Sequence, residues 1–422
     1  MLLFCTRRFW PLFLTQFLGA LNDNLLKNAL VMLVTYRIVT NAGHDAQMLV
    51  TLAAGLFILP YFLFSAIAGQ FADKYDRAML TRLIKTIEII IMVIAACGLL
   101  LPSIGLLFVA LFAMGVHSTC FGPIKYALLP QHLSADELLS GNGYIEAGTF
   151  LAILLGTILG SVLVLQTHGT VVVAAALLLV AMLGYGSSRQ IPRSPAPVPG
   201  LRLGWNLWRE TSRIIAYSYG DRQVFISILG ISWFWLVGAT VLAEFAPFVR
   251  DVLHAGPLVV TWLLALFSVG IGVGAVLCNL LLRGRMTARY VPLACLGIGL
   301  FGVDLYFASR HFYAFGLGLL SLRAFVSLVA GLRVSFDLLL MAVCGGLYII
   351  PLYTIMQHGT QPAHMARVIA ANNVMNALFM VASALLTLVL LTLKLSIPEI
   401  FLSVSVATLG VAFSIRRLQP ES

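Results

Sequence analysis

Apolar runs of about twenty residues or more recur along the chain, separated by short clusters of Arg, Lys, Asp, Pro and Gly. At ~1.5 Å per residue, a helix of that length crosses a ~30 Å hydrocarbon core. The pattern predicts about twelve spans, near 9–36, 48–72, 79–101, 104–130, 139–165, 168–187, 222–248, 257–282, 289–309, 336–357, 366–392 and 397–415. The stretch 312–330 is also apolar, but Arg323 interrupts it and Arg333 follows, so it is expected at the outer surface rather than as a thirteenth span. Between the sixth and seventh runs, "IPRSPAPVPG" (191–200) reads as a stiff extended linker. Trp205 and Trp208 follow on one helical face with arginines elsewhere, the pattern of a helix lying on the inner membrane surface. The expected organisation is an all-α polytopic membrane protein of two pseudo-symmetric six-helix halves. An N-terminal bundle covers 1–188, a cytoplasmic linker 189–221 and a C-terminal bundle 222–422.

Composition agrees. Of 422 residues, 60% are hydrophobic and 10% charged, whereas a soluble domain carries about 25% charged residues. Lys and Arg set the orientation. With the N-terminus inside, nineteen of the 26 fall on the cytoplasmic side, among them Lys85, Lys125, Arg283, Arg285 and Arg417. Six, Arg37 among them, fall outside, and Lys27 lies within the first span. Both termini are expected in the cytoplasm. Topology and anionic lipid account for the net charge of +10, and nothing points to nucleic acid. The six cysteines are scattered, without metal-ligand spacing. No nucleophile–base pair, metal cluster or nucleotide loop is visible, so the reading is not an enzyme, and no cofactor is expected. The first span lacks a small-residue cleavage site and reads as retained.

The halves echo one another. Pro123 is followed by "NGYIEA" from Asn142, and Pro351 by "NNVMNA" from Asn372; the second polar residue comes four later, Glu146 and Asn376. Parallel six-span repeats with a site between them are a transporter plan.

Against this apolar background, "QFLGALNDNLLKNAL" (16–30) carries Asn22, Asp23, Asn24, Lys27 and Asn28. A charge at the centre of a membrane helix costs ~2.5–3.5 kcal/mol on insertion scales. Counted from Phe9, Asp23 lies about 21 Å in and Lys27 about 27 Å, near enough to the outer surface to snorkel. Gln16, Ala20, Asp23 and Lys27 share one stripe. An i,i+4 pair of Asp23 with Lys27 returns only a few tenths of a kcal/mol, so the stripe is read as a cavity wall. Glu146 lies roughly 10 Å from the inner side. Asn22, Asn24, Asn28, Asn142, Asn372, Asn373 and Asn376 suit interhelical hydrogen bonding as well as ligand contact. Lys125, near the inner end of its span, suits snorkelling equally, and Glu88 with Lys85 reads as a local pair.

Several segments carry a family resemblance. "GQFADKYDR", with Gly69, Asp73 and Arg77, resembles the signature loop of the major facilitator superfamily, although Asp76 stands where that family usually has Gly. "QFLGALNDNLLKNAL", "FGPIKYALLP" with Lys125, and "GNGYIEAGTFLAILLG" with Asn142 and Glu146 resemble the first, fourth and fifth spans of bacterial lysophospholipid transporters. That type also occurs fused to acyltransferase and acyl-carrier-protein ligase domains. The resemblance implies a secondary active transporter in the bacterial inner membrane. It would move lysophospholipids from the outer to the inner leaflet, coupled to Na⁺ or H⁺, with an acyltransferase as functional partner. Such relatives have an Arg in the seventh span where Leu242 stands here, with Glu244 nearby. The other reading is a facilitator for a siderophore or drug, in either direction.

Overall fold

In the computed structural model, residues 3–34, 43–282, 287–310, 312 and 318–416 are described. The long helices run in the order α1 (Trp10–Leu33), α2 (Gly43–Lys74), α3 (Arg77–Leu100), α4 (Ile104–His132), α5 (Ala135–Leu163) and α6 (Gly169–Ser188). A shorter α7 (Leu207–Tyr219) follows, then α8 (Arg222–Ala243), α9 (Pro257–Leu282), α10 (Val291–Ser309), α11 (Val329–His358), α12 (Met365–Thr392) and α13 (Ile397–Ile415). Eleven of these are long and apolar enough to cross a membrane. The twelfth long helix, α1, has 24 residues, and its polar stretch keeps it out of that set. The all-α polytopic architecture is as expected.

Some details differ from the sequence reading. The seventh span ends at Ala243 rather than at 248; the chain breaks at Glu244 and continues as the short turns Phe245–Pro247 and Phe248–Val252. Of the apolar stretch 312–330, residues 313–317 lie outside the described residues, and the rest holds the six-residue helix Leu322–Ser327 before α11 begins. That helix is too short to cross. Arg37, Arg283, Arg285 and Arg417 of the charge count also lie outside the described residues.

By its internal contacts the chain forms two units. The first comprises Met1–Gly141, Gly148–Asp221 and Thr360–Ala377; the second comprises Asn142–Ala147, Arg222–Gly359 and Leu378–Ser422. In the first, α1 packs on α6 and α4, α3 on α4 and α6, and α2 on α4 and α7. Glycines let α5 meet α1 backbone to backbone: a Cβ at Gly156 would stand 2.6 Å from the Leu21 carbonyl, and one at Gly160 2.6 Å from that of Leu25. This is the small-residue packing that replaces the hydrophobic effect in lipid. In the second unit α11 is the central post, packed against α8, α9 and α10, with Gly274 and Gly346 in close contact where α9 crosses it.

The proline-rich segment is a docked strap. Ser194 O accepts from Arg77 N at 3.0 Å, Ser194 N donates to Asp76 Oδ2 at 3.1 Å, and Pro195 O accepts from Gln131 Nε2 at 3.0 Å. Val198 N donates to Asp73 O at 3.0 Å, and Gly204 N to Gln70 Oε1 at 2.7 Å. Proline lacks an N–H, so the segment cannot close its own ladder and offers its carbonyls outward. Asp76, the departure from the signature loop, has two tasks here: it caps α3 by accepting from Met79 N at 2.8 Å, and it holds the strap. Beyond the strap, Asn206 caps α7, and Trp205 and Trp208 are exposed, their edges against Phe71 and Phe62 of α2.

Candidate functional site

Helix α3 is built inside out. Leu83, Ile87 and Ile90, at i, i+4 and i+7, are exposed, as lipid-facing residues must be, whereas Lys85, Glu88 and Met92 are fully buried on the opposite face. Lys85 Nζ donates to Glu88 Oε2 at 2.6 Å. The expected local pair therefore exists, but Lys85 is not a surface residue of the cytoplasmic face. Its ammonium fits where α1 has Gly19, since a Cβ there would lie 2.7 Å from Nζ, and it stands 5.2 Å from the centre of the Phe121 ring.

Two more helices complete this core. From α1, Asn22 Nδ2 donates to Glu88 Oε1 at 3.0 Å and to Leu177 O of α6 at 3.3 Å. From α4, His117 Nε2 comes within 3.3 Å of Glu88 Oε2. One residue along each of these helices, Ser118 Oγ donates to Asp23 Oδ2 at 2.7 Å. Among the described residues, Asp23 Oδ1 and His117 Nδ1 are buried without a hydrogen-bond partner. Lys85, Glu88, His117 and Asn22 are 0–4% exposed, so unmatched charge here is costly.

The rest of the predicted stripe disperses. Gln16 Oε1 accepts from Thr149 Oγ1 of α5 at 3.0 Å. Lys27 turns its ammonium to the Phe57 ring, 5.9 Å from the centroid, and its charge still attracts that of Asp23 one turn back. Asn24 and Asn28 spend their amides on helix carbonyls one turn back, and Asn28 also reaches Thr157 at 3.1 Å. Those two tie α1 together and to α5.

The other predicted residues form two further groups. In the first unit, Asp73 Oδ1 accepts from Arg77 Nη2 at 3.1 Å and from the N–H of Ala366, in the first turn of α12, at 3.2 Å. Its Oδ2 accepts from Arg367 Nε at 2.9 Å. A carboxylate at a helix N-terminus is favoured by the helix dipole. Gly69 permits this approach, because a Cβ would lie 2.8 Å from Ala370 Cβ. Asn372 is fully buried nearby in chain order, Asn373 lies against Gly122, Asn376 is half-buried, and Lys125 holds its ammonium 4.7 Å from the Tyr126 ring centre.

In the second unit, Asn142 and Gln357 form a reciprocal amide pair: Asn142 Nδ2 donates to Gln357 Oε1 at 2.6 Å, and Gln357 Nε2 returns to Asn142 Oδ1 at 3.3 Å. Thr354 Oγ1 accepts from Asn142 as well, at 3.2 Å. Glu146, one turn on, is fully buried. Pro123 and Pro351, the landmarks of the repeat, both lie inside helices, α4 and α11. Glu244 follows the seventh span directly, at the break after Ala243, and partial burial holds its carboxyl above the usual range.

Sequence reasoning found Asp23 and Asn22 but missed His117, Ser118 and the interior position of Lys85 and Glu88. The missed signal was phase: residues 85 and 88 share a face with Thr81, Met92 and Ala95, opposite the bulky apolar stripe 83, 87 and 90. Among the described residues no group of three or more His, Cys, Asp or Glu converges for a metal.

The arrangement places charged and polar side chains of α1, α3 and α4 together in the interior of a helical bundle. The chain is 28% identical over 371 residues to a protein of Enterobacter sp. (strain 638) named lysophospholipid transporter LplT, covering 85% of this chain and 82% of that protein. It is 27% identical over 375 residues to the protein of that name from Klebsiella pneumoniae, with the same coverage. Among solved structures, the human organic anion transporter MFSD10 (TETRAN) superposes with TM-score 0.74 at 14% identity, over 97% of this chain and 99% of that one. The E. coli fucose:proton symporter FucP gives 0.69 at 13% identity, over 98% of each. The family profile described as Major Facilitator Superfamily matches residues 12–384, and the chain belongs to that superfamily.

Proposed function

We propose that this multi-pass membrane transporter moves lysophospholipids from the outer to the inner leaflet of the bacterial inner membrane, where an acyltransferase restores the second chain. The observation that carries the reading is the similarity, over 85% of the chain, to proteins named as lysophospholipid transporters. The chemistry is compatible. A lysophospholipid has one tail, so only its head must pass the apolar core, and polar groups clustered in one bundle suit that task.

Asp23 is the carboxylate we assign to the coupling cation, Na⁺ or H⁺. Glu88 is already committed: Lys85 neutralises it and Asn22 occupies its other oxygen. Among the described residues the hydrogen bond to Asp23 comes from a neutral hydroxyl on Oδ2, and Oδ1 has no hydrogen-bond partner. A cation that binds it more tightly in one conformation than in the other shifts the equilibrium between them. The group Asp73, Arg77 and Gly69 serves as the conformational loop, since it ties α2 and α3 to the start of α12. Lys125, Asn142, Glu146, Asn372 and Asn376 are the remaining candidates for head-group contact; Asn142 is the weakest, because Gln357 and Thr354 already satisfy its amide.

Spheroplasts expressing the chain, given labelled lysophosphatidylethanolamine, should accumulate it or its reacylated product above vector controls. Absence of that uptake, with movement of a siderophore or drug instead, would overturn the substrate. A reporter inserted at the exposed Gly200 should report cytoplasm; a periplasmic signal would invert the orientation.

A further inference from the structure

A cavity of about 150 Å³ lies in the first unit beside the strap, roughly ten times the smallest space that holds a water. Its walls come from four places: Gln70 of α2, Arg202 of the strap, Glu210, Arg213 and Tyr217 of α7, and His364 and Arg367 at the start of α12. Three guanidinium groups thus face one carboxylate. Arg213 is matched by Glu210 at 3.0 Å and Arg367 by Asp73 at 2.9 Å, which leaves Arg202 exposed and without an ion pair among the described residues. His364 lies flat on Tyr217, ring centroids 4.3 Å apart, and its Nδ1 is buried without a hydrogen-bond partner among the described residues. A pocket with excess positive charge, guanidinium forks and a spare ring nitrogen has the donors that a phosphate accepts from.

The surroundings distinguish the source of that phosphate. Trp205 and Trp208, beside Arg202 on the strap and α7, are 67% and 66% exposed, and Tyr219 ends the same helix at 70%. Indole and phenol rings left outward on a membrane protein belong at head-group level. Nothing in the transport reading uses Arg202, Trp205, Trp208 or Tyr219. We infer that this cavity binds the phosphate of an anionic phospholipid of the surrounding bilayer, held as a resident rather than carried as cargo. Because Arg367 both lines the cavity and bonds Asp73, occupancy bears on the contact that joins α2 to α12.

The test uses the full chain in phosphatidylcholine nanodiscs doped with phosphatidylglycerol, with bound lipid counted by native mass spectrometry. Wild type should retain one phosphatidylglycerol that Arg202→Gln binds roughly ten-fold more weakly, the loss of one charge-assisted hydrogen bond. Arg209→Gln, which removes an exposed cation of α7 outside the cavity wall, should retain it. Equal weakening by both variants would mean a diffuse basic surface and overturn the site. Displacement of the lipid by excess inorganic phosphate would assign the cavity to a soluble phosphate and overturn the lipid. Retention unchanged in Arg202→Gln would remove the proposal altogether.

Discussion

The two units solve the same problem, a polar interior inside lipid, with different chemistry. At the packing centre of the second unit the hydrogen bonds are neutral: Tyr348 donates to Gly230 O at 3.0 Å, Trp233 Nε1 to Thr408 Oγ1 at 3.1 Å, and Thr240 pairs with Ser383 at 2.7 Å. The space left among Trp233, Phe267, Met341 and Tyr348 is about 20 Å³. Its ion pairs Arg250–Asp251 and Arg333–Asp304 sit at exposed positions, and its buried carboxylates Glu146 and Asp337 stand outside those two pairs. The first unit instead buries Lys85–Glu88 with His117 and Asn22, and Asp73 with Arg77 and Arg367. Neutral packing is the less costly way to build a bundle, so charge kept at this depth marks where the molecule has a task besides standing up.

The contrast can be broken most severely at Glu88. Glu88→Gln strands the Lys85 ammonium, and removing one partner of a buried pair costs about 3–5 kcal/mol. Thermal unfolding in detergent should show a large fall in Tm. The double replacement Lys85→Met with Glu88→Met should recover most of it, because a matched apolar pair removes both desolvation costs. If the double variant is as unstable as the single one, the pair is not what holds α3 to α1. Asp23→Asn is the next effect in size. It removes a buried charge, but also the attraction of that charge for Lys27 one turn on, so the two effects oppose and stability should change little. Uptake should fall about ten-fold or more, the equivalent of one charge-assisted contact of about 1.5–3 kcal/mol. Normal uptake by this variant would detach the coupling from α1.

How far the sequence reached differs between the two kinds of polar residue. The spans were legible because lipid demands apolar runs of fixed length, and the linker because proline has one local meaning. Asp23 was legible because a carboxylate deep in such a run stands out. Lys85 was misplaced at the inner surface because charge counting assigns a lysine near a helix end to water; only the side chain three residues on, Glu88, and the gap at Gly19 let it turn inward. His117 was invisible, since one histidine in an apolar run has no pattern, and its meaning comes from α3. Asp76 reads in the sequence only as a departure from the signature loop, whereas its second partner, Ser194, lies 118 residues away. Tertiary partners of that kind leave no local trace.

Two smaller effects sharpen the contrast from the second unit. Asn142→Ala removes a neutral amide pair with Gln357, and interhelical hydrogen bonds in lipid are worth about 0.6–2 kcal/mol. A modest fall in Tm is expected, with uptake largely preserved; lost uptake at unchanged Tm would move Asn142 into the substrate path. Smallest is Glu244. Burial raises its pKa, so the protonated form is the favoured one in the fold, and stability is lost as pH rises through that value. Glu244→Gln should therefore match wild type in acid and be slightly more stable at pH about 8. A variant less stable than wild type at the higher pH would show that the charged form is held by a partner.

The central claim is that the charge buried in the first unit couples a cation to lipid movement. It is tested most directly by labelled lysophosphatidylethanolamine uptake into proteoliposomes of wild type and Asp23→Asn, with Na⁺ or H⁺ gradients imposed or collapsed. The account predicts that one of the two gradients drives wild-type uptake, that collapsing it abolishes uptake, and that Asp23→Asn no longer responds to it. Wild-type uptake that persists undiminished with both gradients collapsed would contradict it.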